Sequence, residues 1–336
     1  MKNLTHLLCI FLLGLLANSR ADNSLINPNA AIAQQDTSTT ESRADTVRAD
    51  SASMVDSSGL FSDTADAKID SALTAPIRIK PVVSKIDSLF IPVENKAFDV
   101  GEKLQFSLKY EFIKAGTAQF EVKDATAPNG RPCFRIISTA KSTRAFDWIY
   151  KVRDHIESLE DKQCMFSWQY KKQLREGGYK YDLEVKYDHR DQKAFVKAVR
   201  YHSDMSIRKK EAYTVDVPQK VRDVFGTLYF LRTQKMEVGK PIYVSNHDNR
   251  KVYNLKIIIE GKEEIEVGAG KFRCIRVQPI LEGEAIFKQK GELWVWFTDD
   301  DRKIPVRLKS KAVIGAFLAD LDEIKGVKGR IESRIE

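Results

Sequence analysis

The sequence contains no apolar stretch of the roughly 20 residues that a membrane-spanning helix needs. It has only four cysteines and five histidines. It lacks the CxxC spacing of many zinc sites and the H-E-x-x-H, G-x-S-x-G and glycine-rich phosphate-loop motifs. We therefore expect no metal, no cofactor and no enzymatic activity. A glycan-acting hydrolase stays open as a less favoured alternative, because its paired carboxylates meet only in space.

The N-terminus has the parts of a secretory signal. Lys2 supplies a positive charge, an apolar run covers residues 7–17, and the small residues Ser19 and Ala21 follow. We predict a signal peptide over residues 1–21. The alternative is an uncleaved anchor, but the run is short and lacks flanking charges. The sequence thus predicts an exported protein.

Residues 22–95 have a different composition from the rest of the chain. Residues 22–75 are rich in Asp, Ser, Ala and Thr, with nine acids and three bases. Such a segment has too little apolar surface to offset the entropy of ordering. We predict a disordered tether that passes into a proline-containing, extended lead-in. One β-rich domain over residues 96–327 and a charged tail over residues 328–336 complete the expected organisation.

The remaining charge is strongly positive. The whole chain carries +8, the signal +2 and residues 22–75 carry −6, which leaves +12 for residues 76–336. In an exported protein this favours an anionic partner, either a membrane surface or an acidic glycan. The alternative is a solvated basic surface. No motif indicates a nucleic-acid partner.

Loss of the signal would leave Cys133, Cys164 and Cys274. The pairing of an odd number of cysteines cannot be derived from sequence, so one disulfide with a free thiol stays open. We place all three in strands, where an isolated cysteine is usually a small buried apolar residue.

Alternating apolar residues predict a mainly β domain. In residues 103–112 the even positions are apolar or aromatic and the odd positions polar, as in a strand with one buried face. The pattern recurs as far as a last strand near residues 313–321. One stretch changes period: Val221, Val224, Phe225, Leu228 and Tyr229 form a helical stripe.

We predict a helix from Pro218 to about Gln234 with Asp216 as N-cap, and a second short helix over residues 142–150. The fold class is a long antiparallel, strongly curved sheet or open barrel with one apolar helix packed on its concave face.

Several segments resemble a known family. They are residues 100–104, 115–118 and 150–159, the helical stretch 222–232 and the ending 293–306. In this order they are similar to the domain of unknown function 3108, found in envelope proteins of Gram-negative bacteria. The resemblance covers roughly residues 97–326. It implies a β-rich domain in the periplasm, with outer-membrane association as a variant, and no catalytic residues. The architecture is more distantly similar to the open barrels that carry lipoproteins.

The favoured function is binding of an apolar or amphipathic envelope molecule, a lipid or a lipoprotein acyl chain, in the concave sheet. The candidate ligand-binding residues are Phe225, Tyr229, Phe106, Tyr110, Phe120 and Trp168. The alternatives are a closed core in which these aromatic side chains only pack against each other, and a scaffold that docks on protein or glycan through its surface.

Four polar residues are candidates for an internal ion pair that holds the helix on the sheet. They are Asp223, Arg232, Arg153 and Asp154. Of the scattered histidines, His189 and His247 lie in polar turns, where we expect solvated surface residues.

Overall fold

The computed structural model describes residues 87–281, 292–311 and 315–335. The predicted signal peptide and residues 22–86 of the predicted tether lie outside the described residues. The predicted β-rich domain is described except for residues 282–291 and 312–314.

Fourteen antiparallel strands form one sheet in the described part of the chain. The strands are β1 Lys103–Tyr110, β2 Ile113–Thr126, β3 Pro132–Ser142, β4 Arg153–Asp161, β5 Ser167–Glu176, β6 Tyr179–Asp188, β7 Lys193–Tyr201, β8 Ile207–Asp216, β9 Ile242–Asp248, β10 Lys251–Val267, β11 Gly270–Leu281, β12 Glu292–Thr298, β13 Pro305–Lys311 and β14 Ala316–Lys325. The predicted last strand begins three residues too early, since β14 starts at Ala316.

Neighbouring strands in the sheet are neighbours in the chain, with one exception. The order is β8-β7-β6-β5-β4-β3-β2-β1-β14-β13-β12-β11-β10-β9. The first and last strands pair in the middle, where Phe106 lies opposite Leu321. The edge strands are β8 and β9, and the chain that joins them carries the longer helix.

The loops β1–β2, β3–β4 and β7–β8 all lie at one end of the sheet, which we call the hairpin end. The helix and the start of β1 lie at the opposite end, the helix end.

The sheet curves until one edge contacts strands far from it in the pairing order. Asp248 in β9 accepts from Lys172 in β5 at 2.8 Å. Arg250, beside β9, donates to Glu211 in β8 at 2.5 Å. The sheet is not closed by strand pairing, so the predicted open, curved antiparallel architecture is confirmed.

Two α-helices are present in the described residues, α1 (Arg144–Tyr150) and α2 (Val224–Arg232). The predicted short helix is confirmed, but the predicted start of the longer helix is wrong. Asp223, not Asp216, is the N-cap, and its side chain accepts from the Gly226 amide at 2.9 Å. No helix of the described chain is long and apolar enough to cross a membrane.

The chain before α2 is extended because its backbone bonds to strands. The Ser167 amide at the start of β5 donates to the Val221 carbonyl at 3.4 Å. Arg222 accepts from the His247 amide at 2.8 Å and donates to the Ser245 carbonyl at 3.2 Å, alongside edge strand β9. Residues 221–222 therefore link two strands that do not pair with each other, and the helix cannot begin before Asp223.

The main core lies on the concave face, as the alternation in β1 predicts. Leu104, Phe106 and Leu108 are buried, and Phe225 of α2 meets Phe120 of β2 at 5.3 Å between ring centroids. Each such side chain contributes about 1.5–3 kcal/mol by leaving water. The apolar face of α2 thus packs on the concave side of the sheet.

Both ends of the described chain pack on the sheet. Residues Ser88–Phe90 form a 3-10 helix whose Leu89 is buried beside Cys164 and Phe166. In the tail, Ser333 is buried and donates to Asp300 at 2.7 Å. The packed domain therefore includes the end of the predicted lead-in and the charged tail.

Candidate functional site

A buried polar cluster holds the N-terminus of α2. Ser158 contacts Asp223 Oδ2 at 2.6 Å and Glu160 Oε1 at 2.8 Å. Ser167 accepts from the Asp223 amide at 2.8 Å and also hydrogen-bonds Glu160. Burial raises the pKa of Glu160 to about 8 and that of Asp223 to about 6.

The hydrogen bonds indicate which of the two carboxyls is protonated. The Ser158 hydroxyl has one proton for two carboxyl neighbours, so one carboxyl must donate to it. Asp223 accepts from the Gly226 amide as well. Glu160 has the more strongly raised pKa, so it holds the proton at neutral pH and donates to Ser158, while Asp223 remains an ionised cap.

His189 and His247 are buried beside this cluster, so the expectation that they are surface residues is wrong. His189 Nε2 donates to the Ser167 carbonyl at 2.8 Å. Tyr187 hydroxyl lies 3.1 Å from His247 Nδ1. Burial lowers the pKa of each histidine to about 4. Both are neutral at physiological pH. His189 lies in the β6–β7 turn and bonds to β5, whereas His247 belongs to strand β9, where its backbone amide donates to the Arg222 carbonyl.

The C-terminus of α2 is held by a buried ion pair. Arg232 and Glu102 make two parallel bonds, of 2.6 and 2.7 Å. The side chains are 0% and 2% exposed. The Arg302 carbonyl accepts from Arg232 Nε at 3.2 Å, and the Ala97 carbonyl accepts from Nη2 at 3.3 Å. Arg232 thus fastens the helix to the segment that leads into β1.

A surface cavity of about 670 Å³ opens beside this ion pair at the helix end. Its cationic lining residues are Lys96, Lys162, Arg302 and Lys328, and its apolar ones are Pro92, Val93, Phe98, Phe134 and Val327. Asp99 and Glu102 are its acids, and Glu102 is already paired with Arg232. We call this feature the basic cavity. An apolar floor beneath four cations suits an amphipathic anion.

The cations of the basic cavity are only partly occupied by protein partners. Lys96 pairs with the exposed Glu94 at 2.8 Å. Lys162 pairs with the exposed Asp124 and lies 5.2 Å from the centre of the Phe134 ring. Exposed pairs contribute about 0–1 kcal/mol each. An anionic group of a bound molecule could therefore replace the carboxylates of Glu94 and Asp124 at a small cost in free energy.

A second cavity of about 470 Å³ lies on strands β1 to β4. Gln105, Thr117, Gln119 and Thr139 contribute amides and hydroxyls, and Asp154 and His155 lie at one side. We call it the polar groove. Asp154 is buried and hydrogen-bonds Glu176. Desolvation, followed by the charge of Glu176, raises the pKa of Asp154 to about 8.

The six predicted ligand-binding aromatic residues do not form one open site. Phe106 lies against Phe120 at 4.8 Å between centroids, and Phe120 continues to Phe225. These three are at most 2% exposed, and they line neither the basic cavity nor the polar groove. They make the closed aromatic core that the sequence left open as an alternative. Their role in ligand binding stays a prediction.

The other three aromatic residues lie apart. Tyr229 is buried, with its ring 4.7 Å from Phe98, which lines the basic cavity. Tyr110 packs on Phe317 at 4.8 Å. Trp168 is half-buried outside the main core, and its indole donates to Asp161 at 3.1 Å. Tyr229 therefore contacts a side chain that lines the basic cavity.

The four predicted polar residues are not joined to each other. The partner of Arg232 is Glu102, and Asp223 bonds to Ser158 and Ser167, so the expectation that Arg153 and Asp154 supply partners for these two helix residues is wrong. Arg153 pairs with Asp147 of α1 at 2.7 Å. The two arginines lie at opposite ends of the sheet, because residue 232 follows β8 and residue 153 begins β4. Glu102 lies between Gly101 and Lys103, with Asp99 three residues earlier, so no local signal in the sequence marks it as a buried partner.

The cysteines Cys133, Cys164 and Cys274 are free and buried. Burial raises the pKa of Cys133 and of Cys274 to about 12, so neither is a reactive thiolate. Cys164 lies in the β4–β5 turn rather than in a strand. Among the described residues no group of three or more His, Cys, Asp or Glu side chains could hold a metal ion.

The single open sheet of fourteen antiparallel strands in the described residues places this chain in the mainly β class. Comparison with known proteins then gives the family. The model of the family described as protein of unknown function DUF3108 matches residues 105–322. The chain belongs to this family. Comparison with curated proteins gives no match.

Solved structures are similar at low identity. One is a β-barrel-like protein of the domain of unknown function DUF1849 from Brucella abortus, with 9% identity, a TM-score of 0.43 and coverage of 69% of this chain and 98% of that one. Another is a candidate exported protein with a YmcC-like fold from Bacteroides fragilis, with 9% identity, a TM-score of 0.30 and coverage of 70% and 99%. A third is a candidate lipoprotein from Parabacteroides distasonis, with 12% identity, a TM-score of 0.29 and coverage of 70% and 98%.

Proposed function

We propose that this chain is a non-enzymatic binding protein of the Gram-negative periplasm that holds an anionic, amphipathic envelope molecule in the basic cavity. The ligand class is a lipid with an anionic headgroup. The observation that carries the proposal is the combination of four cationic side chains with the apolar floor of Phe98, Phe134 and Val93. The predicted N-terminal signal peptide supports the location.

The buried ion pair supports this position of the site. Arg232, paired with Glu102, holds the wall of the cavity in place by donating to the Ala97 and Arg302 carbonyls. A wall fixed in this way keeps the cations of the cavity in place before a ligand arrives, which lowers the entropic cost of binding.

Isothermal titration calorimetry with short-chain phosphatidylglycerol, kept below its micelle concentration, tests the proposal. We expect binding that is at least tenfold tighter than that of the matching phosphatidylcholine. The double variant K96E/K328E should lose it, because two of the four cations become anions. The control Lys197→Glu reverses an exposed charge on β7 and should bind as the parent does.

Equal affinity for the two lipids would refute the choice of an anionic ligand. Loss of binding in the Lys197→Glu control, or full binding by K96E/K328E, would refute the basic cavity as the site. Circular dichroism melting of each variant separates loss of binding from loss of the fold.

A second candidate function is docking on a glycan through the polar groove. Its lining combines the amides and hydroxyl of Gln105, Gln119 and Thr139 with the cations Lys141 and Arg153, and this polar lining favours sugar hydroxyls over lipid. The neighbouring carboxyls of Asp154 and Glu176 hydrogen-bond each other, whereas glycosidase carboxyls stand about 5–9 Å apart. Binding rather than hydrolysis fits the groove. Amide chemical-shift changes of these residues with N-acetylglucosamine oligomers would support it, and unchanged spectra would reject it.

A further inference from the structure

The most exposed apolar side chains of the described protein lie together at the hairpin end. Trp148 is 95% exposed, Phe112 90% and Ile149 67%, and Ile113 is half exposed. No other large apolar residue in the described ranges exceeds 61%. Two almost fully exposed aromatic rings are unusual for a soluble surface. We call these four residues the apolar rim.

The rim is formed by two adjacent elements. Phe112 and Ile113 lie at the tip of the β1–β2 hairpin, and Trp148 and Ile149 lie on α1 in the β3–β4 connection. The Thr143 amide, at the N-cap of α1, donates to the Ala115 carbonyl of β2 at 2.9 Å. This bond sets the helix beside the hairpin tip.

Helix α1 does not owe its place to apolar burial. None of its seven residues is buried. It is held by its Thr143 cap, with a 3.2 Å bond to the Phe146 amide, and by the Asp147–Arg153 pair at 2.7 Å. Polar contacts thus keep a helix in a position that exposes a tryptophan, which is explained if the tryptophan has a partner outside this chain.

The charge around the rim identifies the partner. Residues 111–114 and 141–153 contain five bases and two acids, for a net charge of +3. Lys141, Arg144 and Lys151 are exposed, while the acid Asp147 is neutralised by Arg153. Exposed aromatic side chains flanked by Lys and Arg suit the interface of a bilayer with anionic headgroups, where the ring enters the boundary layer and the cations meet the phosphates.

We propose that the apolar rim docks on an anionic lipid bilayer, inserting Trp148 and Phe112 at the headgroup boundary. The surface lies at the opposite end of the sheet from the basic cavity and is independent of it. A protein bound in this way carries its basic cavity away from the membrane, facing the aqueous compartment.

Vesicle flotation tests the docking. The protein is mixed at low salt with vesicles of phosphatidylcholine alone or with one third phosphatidylglycerol. We expect binding to the anionic vesicles that weakens as salt rises, since surface attraction is screened. Trp148→Ser and Phe112→Ser should each lower the partition coefficient about tenfold. The control Phe195→Ser removes an aromatic ring that is 50% exposed in the middle of β7 and should bind as the parent does.

Brominated lipids give a second readout that does not depend on affinity. Fluorescence of Trp148 should be quenched by bromine near the headgroup, and the quenching should disappear in Trp148→Phe although that variant still binds. The proposal is overturned by three results: no binding to anionic vesicles, equal loss in Phe195→Ser, or no quenching of Trp148. A concentration-dependent dimer that Trp148→Ser abolishes, without vesicle binding, would assign the rim to a second copy of the chain instead.

Binding of monomeric short-chain lipid separates the two sites. Rim variants should keep this binding, and K96E/K328E should keep vesicle docking apart from a weaker long-range attraction. Failure of one proposal therefore leaves a distinct signature from failure of the other.

Discussion

At the residue scale, the most consequential contact is the pair between Glu102 and Arg232. Both side chains are buried, and the bidentate geometry satisfies both charges. The sequence suggested that Arg232 forms an internal ion pair, but not with which acid. The partners are 130 residues apart in the chain, and nothing in local periodicity encodes such a contact.

Removal of Glu102 should be costly. Glu102→Ala leaves the buried guanidinium without its counter-charge, and we expect a loss of about 3–5 kcal/mol in the free energy of unfolding. Urea denaturation measures it. The control Glu323→Ala breaks the exposed pair with Lys325 and should cost less than about 1 kcal/mol. A similar small loss in both variants would show that the buried pair does not hold the helix.

A second prediction at this scale concerns pH. The pKa of Glu160 is about 8 in the folded protein, above its ordinary value of 4.5. The folded state therefore retains a proton that the unfolded state releases. The stability that this group contributes is complete below pH 4.5 and is lost as the pH rises towards 8.

Glu160→Gln is neutral at every pH and should escape this loss. The difference in unfolding free energy, variant minus parent, should grow between pH 5 and pH 8. The exposed Glu332→Gln serves as the control and should show no such trend. A constant difference for Glu160→Gln would mean that Glu160 is ionised in the fold.

His189 and His247 act oppositely, because their lowered pKa values remove stability as the pH falls from 6.5 towards 4.

At the scale of elements, α2 shows both the strength and the limit of sequence reasoning. Its apolar stripe was visible from Val224 to Tyr229, because the faces of a helix repeat every 3.6 residues. Its first turn was misplaced, because Val221 belongs to the same stripe yet bonds to β5 through its carbonyl. The sequence marks Asp223 as a candidate for an internal ion pair. Its role as N-cap depends on where the extended residues 221–222, which bond to β5 and β9, end and the helix begins.

Gly226 in the first turn of α2 gives a prediction of unusual sign. Replacing a helical glycine by alanine normally stabilises by about 1 kcal/mol. At Gly226 a Cβ atom would lie 2.6 Å from Glu160 Cδ and 2.7 Å from Ser167 Oγ. We expect Gly226→Ala to lower the unfolding free energy by about 1–3 kcal/mol, because the buried cluster must move.

Thermal melting compares this variant with Gly261→Ala, where nothing lies within 4 Å of the added Cβ. If Gly226→Ala were as stable as the parent, the carboxyl cluster would have to be looser than its hydrogen bonds indicate.

At the scale of the whole molecule, antiparallel alternation gave the fold class and most strands, since each pattern is local. The pairing order required one further fact that no local pattern contains, the contact of β1 with β14. For the same reason, cavity formation could not be read from the sequence. The aromatic residues of the concave face fill the core, and the basic cavity is built from the lead-in, β3, the β4–β5 and β12–β13 turns and the segment after β14.

Stability should vary across the sheet according to this order. Edge strand β8 has no buried residue, whereas β1 is flanked by β2 and β14. Hydrogen-exchange mass spectrometry should show exchange first in residues 207–216 and last in β1 and β14, because local opening requires few broken contacts at the edge. Equal protection of β8 and β1 would indicate that the sheet opens only as a whole.

The pairing of β1 with β14 also determines when the sheet can be completed during synthesis of the chain. Ser107 meets Asp322, 215 residues further along the chain. A ribosome adds about 5–20 residues per second, so roughly 10–40 s separate the synthesis of these two residues. During that interval one side of β1 has no native neighbour, and the centre of the finished sheet is for a while an edge. The last strand to be made is the one that closes this edge, so a chain that stops before β14 exposes its own middle to other chains.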